Sequence, residues 1–220
     1  MAQFFELHPD NPQARLCRQA VQILQNSGVL AMPTDSCYAL VCRLDDKAAV
    51  ERLRRIRSLD ERQHFALLCS DLTQIASYAK VSNVQYRLLK AMLPGPYTFI
   101  LEATREVPRR VSHPSKKSIG LRVPDHKLAQ AILTEMGGPL IATTLQLPGQ
   151  TEPMRDPEEI RQTLEKTIDL VLSTGAEGGH RATTVVDWTE TVPRVVRIGA
   201  GSLTGALEPV EVDTMDPDGI

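Results

Sequence analysis

Hydrophobic positions along the chain recur with two periods, and their alternation predicts an α/β protein. Leu16, Ala20, Ile23 and Leu24 repeat at helical spacing. Asn11 and Pro12 precede them as an N-cap and first-turn proline, and Gly28 supplies a stop. Val29 to Met32 is a continuous apolar run, the mark of a buried strand. Ala49, Val50, Leu53 and Ile56 predict a second helix. Val84, Leu88, Leu89 and Met92 predict a third, capped by Ser82 or Asn83 and broken at Pro94-Gly95-Pro96. Leu128, Ile132 and Met136 predict a fourth, ending at Gly137-Gly138. Asp156-Pro157-Glu158-Glu159 combines a cap, a proline at the first helical position and an acid two residues later, so a helix starts there and runs to Lys166.

Between these helices lie short apolar runs read as strands: Phe65 to Cys69, Tyr97 to Leu101, Ser118 to Val123 and Leu140 to Thr143. Ile168 to Leu172, Thr184 to Asp187 and Val195 to Arg197 follow. Helices and strands interleave, with several β–β steps late in the chain. That favours an α/β fold with a twisted, mixed open sheet and flanking helices over a strictly parallel doubly wound one. After Gly201 the chain turns to proline, glycine and acids, Glu208, Glu211, Asp213, Asp216 and Asp218 among them. Such a segment cannot bury a core. The organisation expected is one domain over residues 1–203 and an acidic, flexible tail over residues 204–220.

Composition narrows the class. The chain has 220 residues, enough for a sizeable core, and a formal net charge of -2, which argues against a nucleic-acid protein on composition alone. No apolar run reaches the roughly 18 residues of a membrane span, and the first ten residues lack a signal-peptide pattern. Cys17, Cys37, Cys42 and Cys69 form no CxxC pair and sit in or beside apolar segments, as expected of reduced thiols in a cytoplasmic protein. Scattered histidines offer no zinc spacing, so no protein-held metal is expected.

The candidate chemistry lies at strand ends. Pro33-Thr34-Asp35-Ser36-Cys37-Tyr38 halts the Val29–Met32 run with a hydroxyl, a carboxylate and a phenol, all of which need partners if buried. The alternative there is a proline-initiated turn with Asp35 capping its own backbone. Arg52, Arg54, Arg55 and Arg57 crowd the end of a helix, where cations also complement the helix dipole and commonly form a solvated face. Arg105, Arg109, Arg110, Lys116 and Lys117 add a second basic cluster suited to a polyphosphate or nucleic-acid backbone. Arg122 sits inside a strand just before Pro124, and Thr143-Thr144, Thr183-Thr184 and Arg197 mark other strand ends. Signatures of the P-loop, dinucleotide-binding, nucleophile-elbow and zincin kinds are absent.

Taken in order, these segments resemble the YrdC-like family of threonylcarbamoyl-AMP synthases. The family pattern runs Pro-Thr-Asp-Thr-x-Tyr-Gly-Leu, Lys-x-Arg, Pro-Gly-Pro-x-Thr, Arg-x-Pro, Ser-Ala-Asn, Ser-Thr-x-x-Asp and Arg-x-Gly. The chain carries Pro33 to Leu40, Arg55-Ile56-Arg57, Pro94 to Thr98, Arg122-Val123-Pro124, Thr144-Leu145-Gln146, Thr183 to Asp187 and Arg197-Ile198-Gly199. The resemblance covers residues 11 to 203, and the variants look most like the YciO-type branch. It implies a YrdC-like sheet with a positively charged concave face. It also implies a nucleotidyltransferase that joins L-threonine, bicarbonate and ATP into threonylcarbamoyl-AMP and pyrophosphate for tRNA modification, with ATP as substrate and Mg²⁺ assisting.

By the same resemblance, Arg55, Arg57, Ser118, Thr144, Gln146 and Arg197 bind ATP or its phosphates. Thr34, Tyr38, Arg122, Thr183 and Thr184 bind threonine, with Tyr38 lining the pocket. No covalent nucleophile is implied, since such a transfer needs alignment and charge neutralisation. Several positions depart from the pattern. Arg55 replaces lysine, Ala39 replaces glycine, and Thr144-Leu145-Gln146 replaces Ser-Ala-Asn, bringing Leu145 and Gln146 into the pocket wall. The loop from Ser58 to His64 is longer than the family's. Two other readings stand beside the synthase: a same-pocket enzyme with diverged acyl or amide chemistry, and a double-stranded RNA-binding module. All three readings exclude a membrane partner.

Overall fold

The computed structural model describes residues 1–59, 65–113 and 115–203. The acidic 204–220 tail and most of the loop leading to His64 lie outside the described residues.

The elements in chain order are β1 (Gln3–Glu6), α1 (Ala14–Gln25), β2 (Leu30–Met32), β3 (Ala39–Arg43), α2 (Lys47–Arg57), β4 (Ala66–Leu68), α3 (Leu72–Tyr78) and α4 (Asn83–Met92). They continue with β5 (Tyr97–Glu102), β6 (Ser118–Arg122), α5 (Lys127–Met136), β7 (Leu140–Thr144), α6 (Pro157–Leu164), β8 (Leu170–Ser173), β9 (Thr184–Asp187) and β10 (Arg194–Arg197). All ten described strands form one mixed sheet in the order β1-β8-β2-β3-β7-β4-β6-β5-β9-β10. β1 and β2 run parallel to β8, β4 to β6 and β5 to β9, while the other neighbours are antiparallel.

Local chemistry sets the helix ends. Asp46, Asp71 and Asp156 each cap a helix with a side-chain oxygen, and Ser82 forms a full capping box with Gln85. α5 ends at Gly137, whose φ of 68° is the left-handed stop that glycine favours. Two expected ends differ. α1 begins at Ala14 behind Gln13, which makes no side-chain cap bond; its Oε1 instead accepts the His8 N–H at 3.2 Å. At its other end Ser27 adopts the left-handed conformation, φ 63°. Gly28 is needed instead for space, since a Cβ there would lie 2.5 Å from the Ile23 carbonyl oxygen.

Side-chain alternation gives the sheet two different faces. On one, Leu40, Cys42, Leu67, Phe99, Leu121, Ile141 and Val186 pack beneath α2, α3, α4 and α6. On the other, Leu30, Met32, Val41, Leu140 and Leu170 pack beneath α1 and α5. β5, β6 and β9 contribute nothing to this second core. On that face they place Thr98, Gly120 and Arg122 beside the apolar Ile100 and Val185, so the sheet there keeps a floor outside the core beneath α1 and α5.

Candidate functional site

On that floor lies a shallow cavity. Ala39, Ala66, Leu68 and Ala142 form its base; Cys37, Thr98, Arg122, Thr143, Thr144, Thr183 and Arg197 form its walls. Register explains the assembly. Ala66 pairs with both Gly120 and Ala142, and Leu68 with Arg122, so residues from three strands point the same way. Their small size keeps space open, which is about 30 Å³ with the side chains as they stand, room for roughly two waters.

Arg122 is the centre of the polar wall. Only 7% of its side chain is exposed, and it forms a buried ion pair with Asp35, itself 9% exposed. Its Nη2 also donates to Thr34 Oγ1 at 3.0 Å. Asp35 is held from behind, because its Oδ2 accepts the Asp125 N–H at 3.1 Å. The Thr34 hydroxyl donates to the Cys37 carbonyl at 2.6 Å and so fixes the turn after β2. Arg122 Nε is buried and has no hydrogen-bond partner among the described residues. A buried donor left without a partner costs about 1–3 kcal/mol, so the site holds an unmet demand for an acceptor.

The opposite wall is built from β5, β9 and β10. The Thr98 and Thr183 hydroxyls share a hydrogen bond of 2.8 Å. Arg197 donates through Nε and Nη2 to the Thr183 carbonyl, both at 3.2 Å. Burial pushes the Arg197 guanidinium below its ordinary value; the Cys37 thiol opposes that shift and the nearby Arg122 charge adds to it. Two guanidiniums therefore face one small cavity, one of them balanced by Asp35.

Arg122, Thr144, Thr183 and Arg197, expected at a common site, do meet on this cavity, and Thr34 joins them through Arg122. Others lie elsewhere. Tyr38 does not line the pocket. Cys37 and Ala39 take the cavity face, so Tyr38 between them points into the opposite core and donates to the Leu172 carbonyl at 3.2 Å. Burial raises its phenol above the ordinary value.

The Thr184 hydroxyl, fully buried, bonds Gly201 O at 2.6 Å and Gly199 N at 2.9 Å, tying down the chain after β10. Leu145 is likewise not in the pocket wall: it is fully buried in the core on the other face. Gln146 turns its amide to the Gln150 carbonyl at 2.8 Å. Neither Arg55, exposed on α2, nor Arg57 at its end lines the cavity, and Ser118 sits buried at the far end of β6 from Arg122. The rest of the arginine cluster is structural: Arg52 pairs with Asp169 at 2.6 Å, and Arg54 stacks 4.5 Å over Phe65.

Three contributors were not assigned from sequence. Thr98 stands in the Pro-Gly-Pro-Tyr-Thr segment, and its place on the floor follows only from β5 pairing. Cys37 shares a face with Ala39, a relation visible only once β3 is recognised. Asp35 reads in sequence either as a carboxylate needing a partner or as a turn residue, and it is the carboxylate that holds Arg122. Among the described residues no cluster of three or more His, Cys, Asp or Glu side chains is placed to hold a metal, and no helix is long and apolar enough to cross a membrane.

Comparison with known proteins gives a consistent set. The Sua5/YciO/YrdC family model, described as "Telomere recombination", matches residues 22–199. YciO of Escherichia coli strain K12, called an uncharacterized protein, is 49% identical over 203 residues, 92% of this chain and 98% of its own. Its crystal structure superposes with a TM-score of 0.89, covering 93% of this chain and 98% of that one. A threonylcarbamoyl-AMP synthase of Vibrio vulnificus strain YJ016 is 30% identical over 173 residues, 77% of this chain and 92% of its own. The P. abyssi Sua5 structure complexed with L-threonine has a TM-score of 0.81 at 22% identity, covering 89% of this chain and 57% of that one, which is a likeness of fold.

Proposed function

The chain belongs to the Sua5/YciO/YrdC family, and on that footing we propose that it is a nucleotide-dependent synthase of the threonylcarbamoyl-AMP type. The observation carrying this reading is the buried Arg122, bound to Thr34 and Asp35 and left with an unpaired Nε, facing Arg197 across a floor of small residues. That arrangement suits a small amino acid whose carboxylate meets one guanidinium and whose activated end meets another.

In the proposed reaction, threonine and bicarbonate give N-carboxy-threonine with loss of water. A carbamate oxygen then attacks the α-phosphorus of ATP. The new P–O bond forms as the bond to the β-phosphate oxygen breaks, and pyrophosphate leaves with that electron pair. Arg122, Thr34 and Thr183 would hold threonine; Arg197 and Thr144 would hold the nucleotide. Mg²⁺ would travel with the ATP phosphates and neutralise the leaving pyrophosphate. The free volume is smaller than a threonine molecule, so binding would require Arg122 and Arg197 to part, or the ligand to lie across the mouth.

The test is incubation with ATP, bicarbonate, Mg²⁺ and each amino acid in turn, reading AMP and pyrophosphate. Pyrophosphate release that needs both threonine and bicarbonate is expected. Its absence with every amino acid rejects the synthase. One observation favours a second reading, a same-pocket enzyme of diverged acyl chemistry: Gln146, at the family's asparagine position, turns its amide away to Gln150. Release with an amino acid other than threonine would favour it.

A further inference from the structure

We propose that a second anion site lies at the far end of β5 and β6, in a hollow that binds ligands carrying several phosphoryl groups. The hollow has a volume of about 930 Å³, at the upper end of the range typical of ligand sites, and is lined by Lys80, Glu102, Thr104, Arg105, Arg109 and Lys117 among others. It shares no lining residue with the cavity around Arg122. Thr98 of β5 faces that cavity and Glu102 faces the hollow, a separation of about 13 Å along an extended strand.

Charge marks it as more than a surface depression. Lys80 and Glu102 neutralise each other, with Nζ 2.5 Å from Oε1. Arg105, Arg109 and Lys117 have no side-chain hydrogen bond or ion pair among the described residues. Lys116 next door is different, since it reaches Asp187 at 3.9 Å. Three uncompensated cations around one hollow are not a by-product of composition in a chain of net charge -2.

The ordinary explanation for exposed cations is a mobile, solvated fringe. Here the backbone beneath them is fixed. Lys117 has a φ of 50°, uncommon for a residue with a side chain. It is held there by its N–H on the His113 carbonyl at 3.0 Å and its carbonyl on the Ala103 N–H at 2.8 Å. His113 Nδ1 accepts the N–H groups of Ser115 and Lys116 and so secures the same turn. Thr104 bonds the end of α3 twice, N–H to Tyr78 O at 2.9 Å and hydroxyl to Ser77 O at 2.8 Å. Buried Val107 and Val111 anchor the segment carrying Arg105 and Arg109, and Arg110 ties it to the Leu44 carbonyl at 3.0 Å.

Cations on a fixed frame lose less freedom when they close on a ligand. No Phe, Tyr or Trp lines the hollow, and its one imidazole, His113, is engaged through Nδ1 in the turn that carries Lys116, which points to phosphoryl groups as the recognised feature. The same chemistry is offered by a free polyphosphate and by a polynucleotide backbone.

Calorimetry at low salt with tripolyphosphate, and separately with a short RNA duplex, tests the site and distinguishes the two sources. The wild-type chain should bind at least one of them. Combining Arg105→Ala, Arg109→Ala and Lys117→Ala should weaken that binding at least tenfold. For the duplex, the slope of log K against log salt should shrink by about 0.7–0.9 for each phosphate that the variant no longer neutralises. Lys116→Ala should leave the affinity within about twofold. All three substituted residues are exposed, and an unchanged melting temperature will show that the triple variant folds. Tripolyphosphate binding lost in the triple variant assigns a free polyphosphate; duplex binding alone, lost in the same way, assigns a polynucleotide backbone. Failure of the wild type to bind either, or equal binding by the triple variant, overturns the proposal. None of these outcomes depends on synthase activity.

Discussion

Arg122 shows how one residue joins stability to function. Its charge is taken out of water, and Asp35 repays that cost only while both are present. Arg122→Met should therefore destabilise the fold by about 3–5 kcal/mol in urea unfolding, because it strands a buried carboxylate. Adding Asp35→Asn should recover most of that loss, since the stranded charge is gone. Neither variant should support threonine-dependent pyrophosphate release. A double variant as unstable as Arg122→Met alone would show that the pair is not what sets the cost. Arg122 and Thr34 were legible in sequence because an arginine inside a strand and a hydroxyl at a strand end both need partners. Asp35 as the partner was not, because 87 positions separate the two and only the sheet brings them together. Tyr38 and Leu145 were misplaced for one reason: each adjoins the cavity-facing residue at a strand end, Ala39 or Thr144, and its own side chain goes to the other face.

Elements were legible where several local signals agreed. Asp156-Pro157 and Ser82 each announced a helix start, and each caps as expected. Ser82→Ala should cost about 0.5–2 kcal/mol, read by urea unfolding, because Ser82 Oγ accepts the Gln85 N–H at 3.3 Å while Gln85 Oε1 accepts the Ser82 N–H at 2.8 Å. Gln85→Ala should cost at least as much, since its Nε2 also donates to the Trp188 carbonyl at 3.0 Å, linking α4 to the end of β9. β1, β3 and α3 were not read from sequence. β1 and α3 are only 4 and 7 residues long, too short for a period to stand out. β3 follows so closely on the Thr34 turn that its apolar run merged with the motif before it. The α2 arginines carried a pattern with two meanings, and tertiary packing accounts for two of them. Arg52 and Arg54 serve the fold through Asp169 and Phe65, which no spacing rule could have said.

The whole molecule divides its chemistry between the two faces of one sheet. The helix-covered face on which Tyr38 and Leu145 pack also buries Cys42 and Cys69. Burial pushes the Cys42 thiol up to about 12 and raises Cys69 as well, each from an ordinary value of 9.0. Tyr38 is raised by burial in the same core. A folded state that keeps these protons more tightly than the unfolded chain is favoured in full below the unfolded values. It loses that advantage as pH rises from about 9 towards the folded ones. Stability should therefore fall steeply across this alkaline window, with each such group contributing up to about 1.4 kcal/mol per pH unit. Cys42→Ala will lower stability at neutral pH by leaving a small cavity, yet it should flatten the alkaline limb by one proton's worth of slope. Urea unfolding midpoints measured from pH 7 to pH 11 on both proteins give that slope directly. Parallel curves would mean that Cys42 ionises in the folded state, and that the core beneath α2 admits water.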